Sequence, residues 1–332
     1  MELIQLGKSE IKVSPIAFGA WAIGGWMWGG ADQEEGIKAV QTSLEVGMTT
    51  IDTAPVYGFG RSEELIGKAL KGIPRESYQI LTKYGMNWET HEGEYFFDTE
   101  DFDGNLIRMH KWSAKNRVKK ECEESLRRLN IDYIDLYQVH WYDPTTPISE
   151  TMEAVLELID EGKVRAAGVC NYNAAQVDEA LSVLSLVTNQ VPYSLVNRGI
   201  EKSLILQALE KGMSILPYSP LQRGLLTGKM DPNQQYKKGD SRKGLKHFQP
   251  ENVKRINSML EKIKPIADDH HATLAQVILC WTMNQPAMGC VLAGARNPQQ
   301  VKDNAGAMNL KLSETELSAI TKLSDELELV EK

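Results

Sequence analysis

Apolar and polar positions along the chain fall into a repeating alternation. Short apolar runs rich in β-branched residues precede amphipathic segments, again and again. The runs PIAFG (15–19), MTTID (48–52), YQILTK (78–83) and IDLYQVH (134–140) are candidate strands. So are RAAGV (165–169), SLVTNQ (185–190), MSILPYS (213–219) and MGCVLAG (288–294), which makes eight. The helices between them have readable ends. Asp32 can cap a helix with Glu35 three residues on and Ile37, Val40 and Leu44 on one face, and Gly47 stops it. Ser62 is expected to cap EELIGKAL. Ser149 is expected to cap a helix with Met152, Val155, Leu156 and Ile159 inward, ending at Gly162. HATLAQVILCWTM (271–283) is apolar on most of its surface and predicts a buried helix.

Strands alternating with helices imply parallel pairing. Eight such units predict a closed (β/α)8 barrel, a TIM barrel in α/β class, with residues 1–332 forming one domain. The rival is an open doubly wound sheet, which would carry G-x-G-x-x-G after its first strand. The glycines of FGAWAIGGWMWGG do not fit that spacing. MELIQLGKSEIKV reads as an N-terminal β-hairpin turning at Gly7–Lys8. Three stretches lie outside the repeat: a polar and aromatic one (84–112), a basic, glycine-containing one (221–250), and the tail after about 324. In a barrel, the loops after strands lie on the catalytic face.

Composition changes this picture little. A chain of 332 residues suits one barrel with insertions, and 42% hydrophobic with 25% charged residues is ordinary for a soluble globular protein. A net charge of −8 offers nothing to a polyanion, so nucleic acid is not an expected partner. Cys122, Cys170, Cys280 and Cys290 are irregularly spaced with no C-x-x-C, which suggests neither a disulfide framework nor a metal site. No apolar stretch approaches the ~20 residues of a membrane span, and the opening residues do not read as a signal peptide. A cytoplasmic location is expected.

The candidate chemistry lies at the strand ends. Polar residues there would converge on one mouth. They are Asp52 with nearby Tyr57, Lys83, His140, Cys170 with Asn171, Gln190, and Tyr218 with Ser219. A carboxylate buried at a strand end needs a partner, and Lys83 can supply it. The Lys83 cation beside Tyr57 is expected to favour the phenolate and lower a pKa normally ~10. A tyrosine tuned in this way can donate a proton near neutral pH, and His140 can hydrogen-bond a substrate oxygen.

IDTAPVYGFGRSEELIGKAL, TK at 82–83, RLNIDYIDLYQVHW, GKVRAAGVCNYN, YSPLQRGLLTGK and GARNPQQVKDN together resemble the aldo-keto reductase family. The likeness is to its bacterial NADPH-dependent branch and runs from about residue 3 to 323. It implies a barrel that binds NADPH without a Rossmann domain or a metal, and a small-molecule carbonyl substrate. It assigns the catalytic tetrad Asp52, Tyr57, Lys83 and His140, with Tyr57 as general acid. By the same resemblance Cys170, Asn171 and Gln190 hold the nicotinamide carboxamide and Tyr218 stacks on the ring. Gly19 and Trp21 floor the pocket. Ser219, Leu221, Arg223, Gly224 and Leu225 line the pyrophosphate. Gly294, Arg296, Gln300 and Asn304 hold the adenosine end, with Arg296 near the 2′-phosphate. The family usually carries serine where this chain has Cys170, and small residues are frequent where it has Gln222.

Other readings stand beside this one. Relatives of this fold include regulatory channel subunits that bind NADPH with little turnover. A lyase using Lys83 as a Schiff-base amine is a third reading. Trp21, Trp26, Trp28 and Trp112 suggest an aromatic substrate pocket, and His270–His271 reads as a surface pair at a helix end.

Overall fold

The computed structural model describes residues 2–236 and 240–331. Among these, eight parallel strands close into a barrel: β3 (Ile16–Gly19), β4 (Thr50–Asp52), β5 (Gln79–Tyr84), β9 (Ile134–Val139), β10 (Val164–Cys170), β11 (Leu186–Pro192), β12 (Ser214–Tyr218) and β13 (Val291–Gly294). Each lies within two or three residues of its expected run. A hairpin of β1 (Ile4–Gln5) and β2 (Lys12–Val13) precedes them, with Gly7 in the left-handed region at φ 50°.

Side chains alternate across each strand. Ile16, Phe18, Ile51 and Ile80 therefore pack outward against helices, while Ala17, Leu81, Leu136, Ala166, Leu216 and Leu292 fill the barrel interior. Leu6 and Val13 of the hairpin join that interior cluster and plug its lower end. The barrel is unevenly stitched. β5 and β9 share four register pairs, whereas β12 and β13 meet at Tyr218–Leu292, supplemented by a bridge from Ile215 to Met288.

The helices are α1 (Gln33–Glu45), α2 (Arg61–Ala69), α3 (Lys115–Leu129), α4 (Ile148–Asp160), α5 (Ala174–Leu181), α6 (Leu204–Lys211), α7 (Pro250–Asp269), α8 (Leu274–Met283), α9 (Pro298–Gly306) and α10 (Glu314–Asp325). Asp32 caps α1 by accepting from the Glu35 N–H. Two expected caps are corrected. Ser62 lies inside α2, whose cap is Gly60 at φ 97°. Ser62 is fully buried, and its hydroxyl donates to the Ala20 carbonyl and meets Thr53 Oγ1 at 3.0 Å, tying the helix to two strand ends. Ser149 lies inside α4, which begins after Pro147, and Leu158 takes the inward place expected of Leu156, which is 37% exposed. Leu156 lies four residues from Met152, yet the helix turns it toward solvent. No helix among the described residues is long and apolar enough to cross a membrane.

Residues 84–112 form a three-stranded antiparallel sheet, not an irregular loop. Its strands are β6 (Met86–Asn87), β7 (Glu94–Glu100) and β8 (Leu106–Lys111), in the order β6-β8-β7.

Candidate active site

The alternation that sends Leu81 into the barrel also sends Lys83 inward two residues later. By the same count Asp52, His140, Cys170, Gln190, Tyr218, Gly19 and Gly294 are the last inward positions of their strands or lie just past them. Local folding at one end of the barrel therefore gathers one acid, one cation, a phenol and an imidazole.

The Lys83 ammonium is fully buried. It donates to Asp52 Oδ1 at 2.7 Å and to the Thr53 carbonyl at 2.8 Å. Gln190 Nε2 donates to the second Asp52 oxygen at 2.8 Å. Burial pulls the Lys83 pKa down, yet Asp52 and Tyr57 together lift it above its ordinary value, so the ammonium persists. Lys83 Nζ lies 5.0 Å from the centroid of the Tyr57 ring, and the Tyr57 and His140 rings meet edge-on at 5.8 Å. Asn171, held in the left-handed region at φ 59°, donates from Nδ2 to the His140 carbonyl and accepts from the Tyr218 hydroxyl.

The expected lowering of the Tyr57 pKa is corrected. Burial pushes it up to about 12, and the nearby Lys83 cation offsets this only in part, with Asp52 acting in the opposite sense. The phenol is therefore held in its protonated, donor form. Burial, then Lys83, keeps His140 neutral well below its ordinary pKa.

Above these groups lies a cavity of about 680 Å³. Gly19, Trp21, Asp52, Tyr57, His140, Asn171, Gln190, Tyr218 and Ser219 line it. So do Leu221, Arg223, Gly224, Gly294, Arg296, Gln300 and Asn304. Three of the expected residues are elsewhere. Lys83 lies beneath the floor, bonded to Asp52. Cys170 is fully buried behind the wall, its thiol pushed to a high pKa by burial. Leu225 is fully buried in the outer core. Trp112 is absent from the wall, while Trp26 and Trp28 are on it.

Sequence reasoning missed Met86, Phe96, Phe97 and Trp141, which line the same cavity beside Trp26. The signal was present in EYFFDTE, whose apolar residues sit among acidic ones as on a strand with one wet face. Asp303, Lys229 and Arg242 near the opposite end were also missed.

That opposite end fits an elongated dinucleotide. Gly19 and Gly294 pair across the β3–β13 ladder, and the absence of side chains there keeps the floor open. Ser219, Gln222, Arg223 and Gly224 all have positive φ, and nothing lies within 4 Å of where a Gly224 Cβ would stand. This bent backbone forms a concavity of the kind that receives phosphate. The buried indole nitrogens of Trp21 and Trp28 have no partner among the described residues. Asn297 caps α9, placing Arg296 at its N-terminus, where an anion is favoured. The Arg296 and Arg223 guanidiniums lie over the Trp28 and Trp21 rings at 5.7 and 5.4 Å.

Residues 15–325 match the profile of the Aldo/keto reductase family. The chain is 38% identical to Aldo-keto reductase YhdN of Bacillus subtilis (strain 168), over 91% of this chain and 87% of that protein. It is 35% identical to the NADH-specific methylglyoxal reductase of Escherichia coli (strain K12), over 99% and 100%. Its structure resembles that of the glycerol dehydrogenase AKR11B4 from Gluconobacter oxydans with a TM-score of 0.88 and 35% identity, covering 98% and 96% of the two chains.

Proposed function

This chain belongs to the aldo/keto reductase family, and from that premise we propose that it reduces small aldehydes or ketones to alcohols with NADPH. The observation that carries the reading is the buried Asp52–Lys83 pair beneath a protonated Tyr57 at the floor of the cavity. A bound nicotinamide supplies the hydride to the carbonyl carbon. Tyr57 gives its phenolic proton to the carbonyl oxygen, so carbon and oxygen each receive one hydrogen and an alcohol leaves. The Lys83 cation stands close enough to stabilise the phenolate left on Tyr57, and Asp52 holds Lys83 in place. Neutral His140 hydrogen-bonds the same oxygen and fixes its direction. The aromatic wall excludes water from this exchange.

Asn171, Gln190 and Tyr218 line the cavity and would hold the nicotinamide, and Ser219, Leu221, Arg223 and Gly224 the pyrophosphate. Arg296 is exposed at the rim and is the group that can meet a 2′-phosphate with parallel hydrogen bonds. NADH is a second reading, favoured by Asp303 at the same end of the cavity and by the named specificity of the Escherichia coli relative.

The test is the dissociation constant of each cofactor by tryptophan quenching. The wild type is expected to bind NADPH more tightly. Arg296→Ala is expected to weaken NADPH about 10- to 150-fold, the worth of one charge-assisted hydrogen bond, and to leave NADH almost unchanged. Equal losses for both cofactors, or tighter NADH binding by the wild type, would overturn the NADPH reading. Turnover of neither cofactor across a panel of aldehydes and ketones would favour a regulatory protein.

A further inference from the structure

The three-stranded sheet of residues 86–111 forms part of the cavity wall, through Met86, Phe96 and Phe97. Its place depends on a hinge at Gly85, where the chain leaves barrel strand β5 two residues after Lys83. Gly85 has φ 87°, and a Cβ there would stand 2.5 Å from Ser113 Oγ, so the entering and leaving chains cross closely. The Trp112 N–H donates to the Gly85 carbonyl across that crossing.

Behind the hinge stands an ion pair that the chemistry does not use. Arg117 and Glu121, one turn apart on α3, are 2% and 1% exposed. Both Glu121 oxygens accept from the Gly85 N–H, at 3.3 and 3.2 Å. Arg117 Nε donates to Glu121 at 2.6 Å, and its Nη1 donates to Glu89 at 2.7 Å. Glu89 also accepts from Lys120. It sits in a turn closed by the Asn87 side chain, which bonds Thr90 and the Glu92 carbonyl. Trp88, beside it, packs edge-on against Phe59, two residues from Tyr57. The far end of the sheet is tied separately, by the Trp26 indole donating to Thr99 and stacking on Phe97.

A buried ion pair is weak evidence of stability, because desolvation offsets its attraction. Here its hydrogen bonds run to two points on one insertion, the Gly85 N–H and the Glu89 carboxylate. We propose that Arg117, Glu121 and Glu89 are positioning residues: they hold Gly85 and the 87–92 turn, and so set the distance of Phe96 and Phe97 from the reacting carbonyl. They select substrates by size without touching them. This rests on the reductase reading of the same cavity.

Two variants test it. Glu89→Gln removes the charge that Arg117 and Lys120 share, at an exposed position. Arg117→Met with Glu121→Leu removes both buried charges together, which avoids stranding either one. Each is assayed with NADPH and two probes, 4-nitrobenzaldehyde, large enough to reach the sheet, and methylglyoxal, which is not. Both variants are expected to raise KM for 4-nitrobenzaldehyde about tenfold, the scale of a misplaced apolar contact, relative to methylglyoxal. The kcat values and the dissociation constant for NADPH stay near those of the wild type. An unchanged ratio between the two probes in both variants would overturn the proposal. So would equal losses on both probes that follow a fall in melting temperature, since that is a merely structural role. A wild type that reduces no carbonyl removes the reductase reading itself, and the positioning role with it.

Discussion

Tyr57 shows how two opposed forces on one residue are decided. The Lys83 cation beside it was reason to expect a lowered pKa, and that neighbour is where the sequence placed it. Burial was not readable from the local motif, because it depends on Trp21, His140 and the whole cavity wall, and burial is the larger effect. The sign follows directly. A general acid must carry its proton, and a phenol with a pKa near 12 carries it throughout the neutral range. His140, held neutral, adds no titration there either. Reduction followed in a single turnover should therefore stay level from about pH 6 to about pH 9. A fall centred near neutrality would mean that the cation outweighs burial. Tyr57→Phe is expected to slow reduction by ~10² to ~10⁴-fold while cofactor affinity, read by tryptophan quenching, holds. Cys170 marks the other limit of reading by motif. Its place in the strand is as expected, but its thiol lies behind the wall, and only packing could reveal that.

At the scale of elements, periodicity located strands better than caps. Ser62 looks like an N-cap by type and spacing, yet its hydroxyl serves the ends of two strands, a use that needs the tertiary fold to be seen. The 86–111 sheet was hidden for a related reason. Its alternation is broken where the β7–β8 register shifts between Tyr95 and Phe97, so that Phe96 and Phe97 are both partly buried, and Tyr95 and Leu106 are left exposed. Helix α2 offers a test of packing against propensity. A Cβ on Gly67 would stand 2.6 Å from the Arg128 carbonyl oxygen and 2.9 Å from that of Leu129, at the end of α3. Alanine favours a helix over glycine by about 1 kcal/mol, whereas overpacking costs about 1–3 kcal/mol. Gly67→Ala should therefore lower the melting temperature. A rise would mean that the two helices part without cost.

For the whole molecule, the eightfold alternation of the sequence was enough to specify the barrel, because each strand–helix unit is local and the closure follows from their number. The unevenness of the closure was not legible, since it is set by register between strands far apart in sequence. The β12–β13 junction is sparsely paired, and Tyr218 and Gly294 at its upper end both line the cavity, where the dinucleotide is proposed to lie. Amides of β12, Pro217 aside, and of β13 should exchange with deuterium faster than those of β9 and β10, and slow markedly once NADPH is added. Equal protection with and without the dinucleotide would separate the junction from the ligand. If the dinucleotide closes it, the ligand acts as a missing rung of the barrel. In a cell starved of reducing power, empty copies would then open at that rung, meet proteases there, and be cleared first. The abundance of the enzyme would follow the supply of its own reductant, with no gene or effector needed to report it.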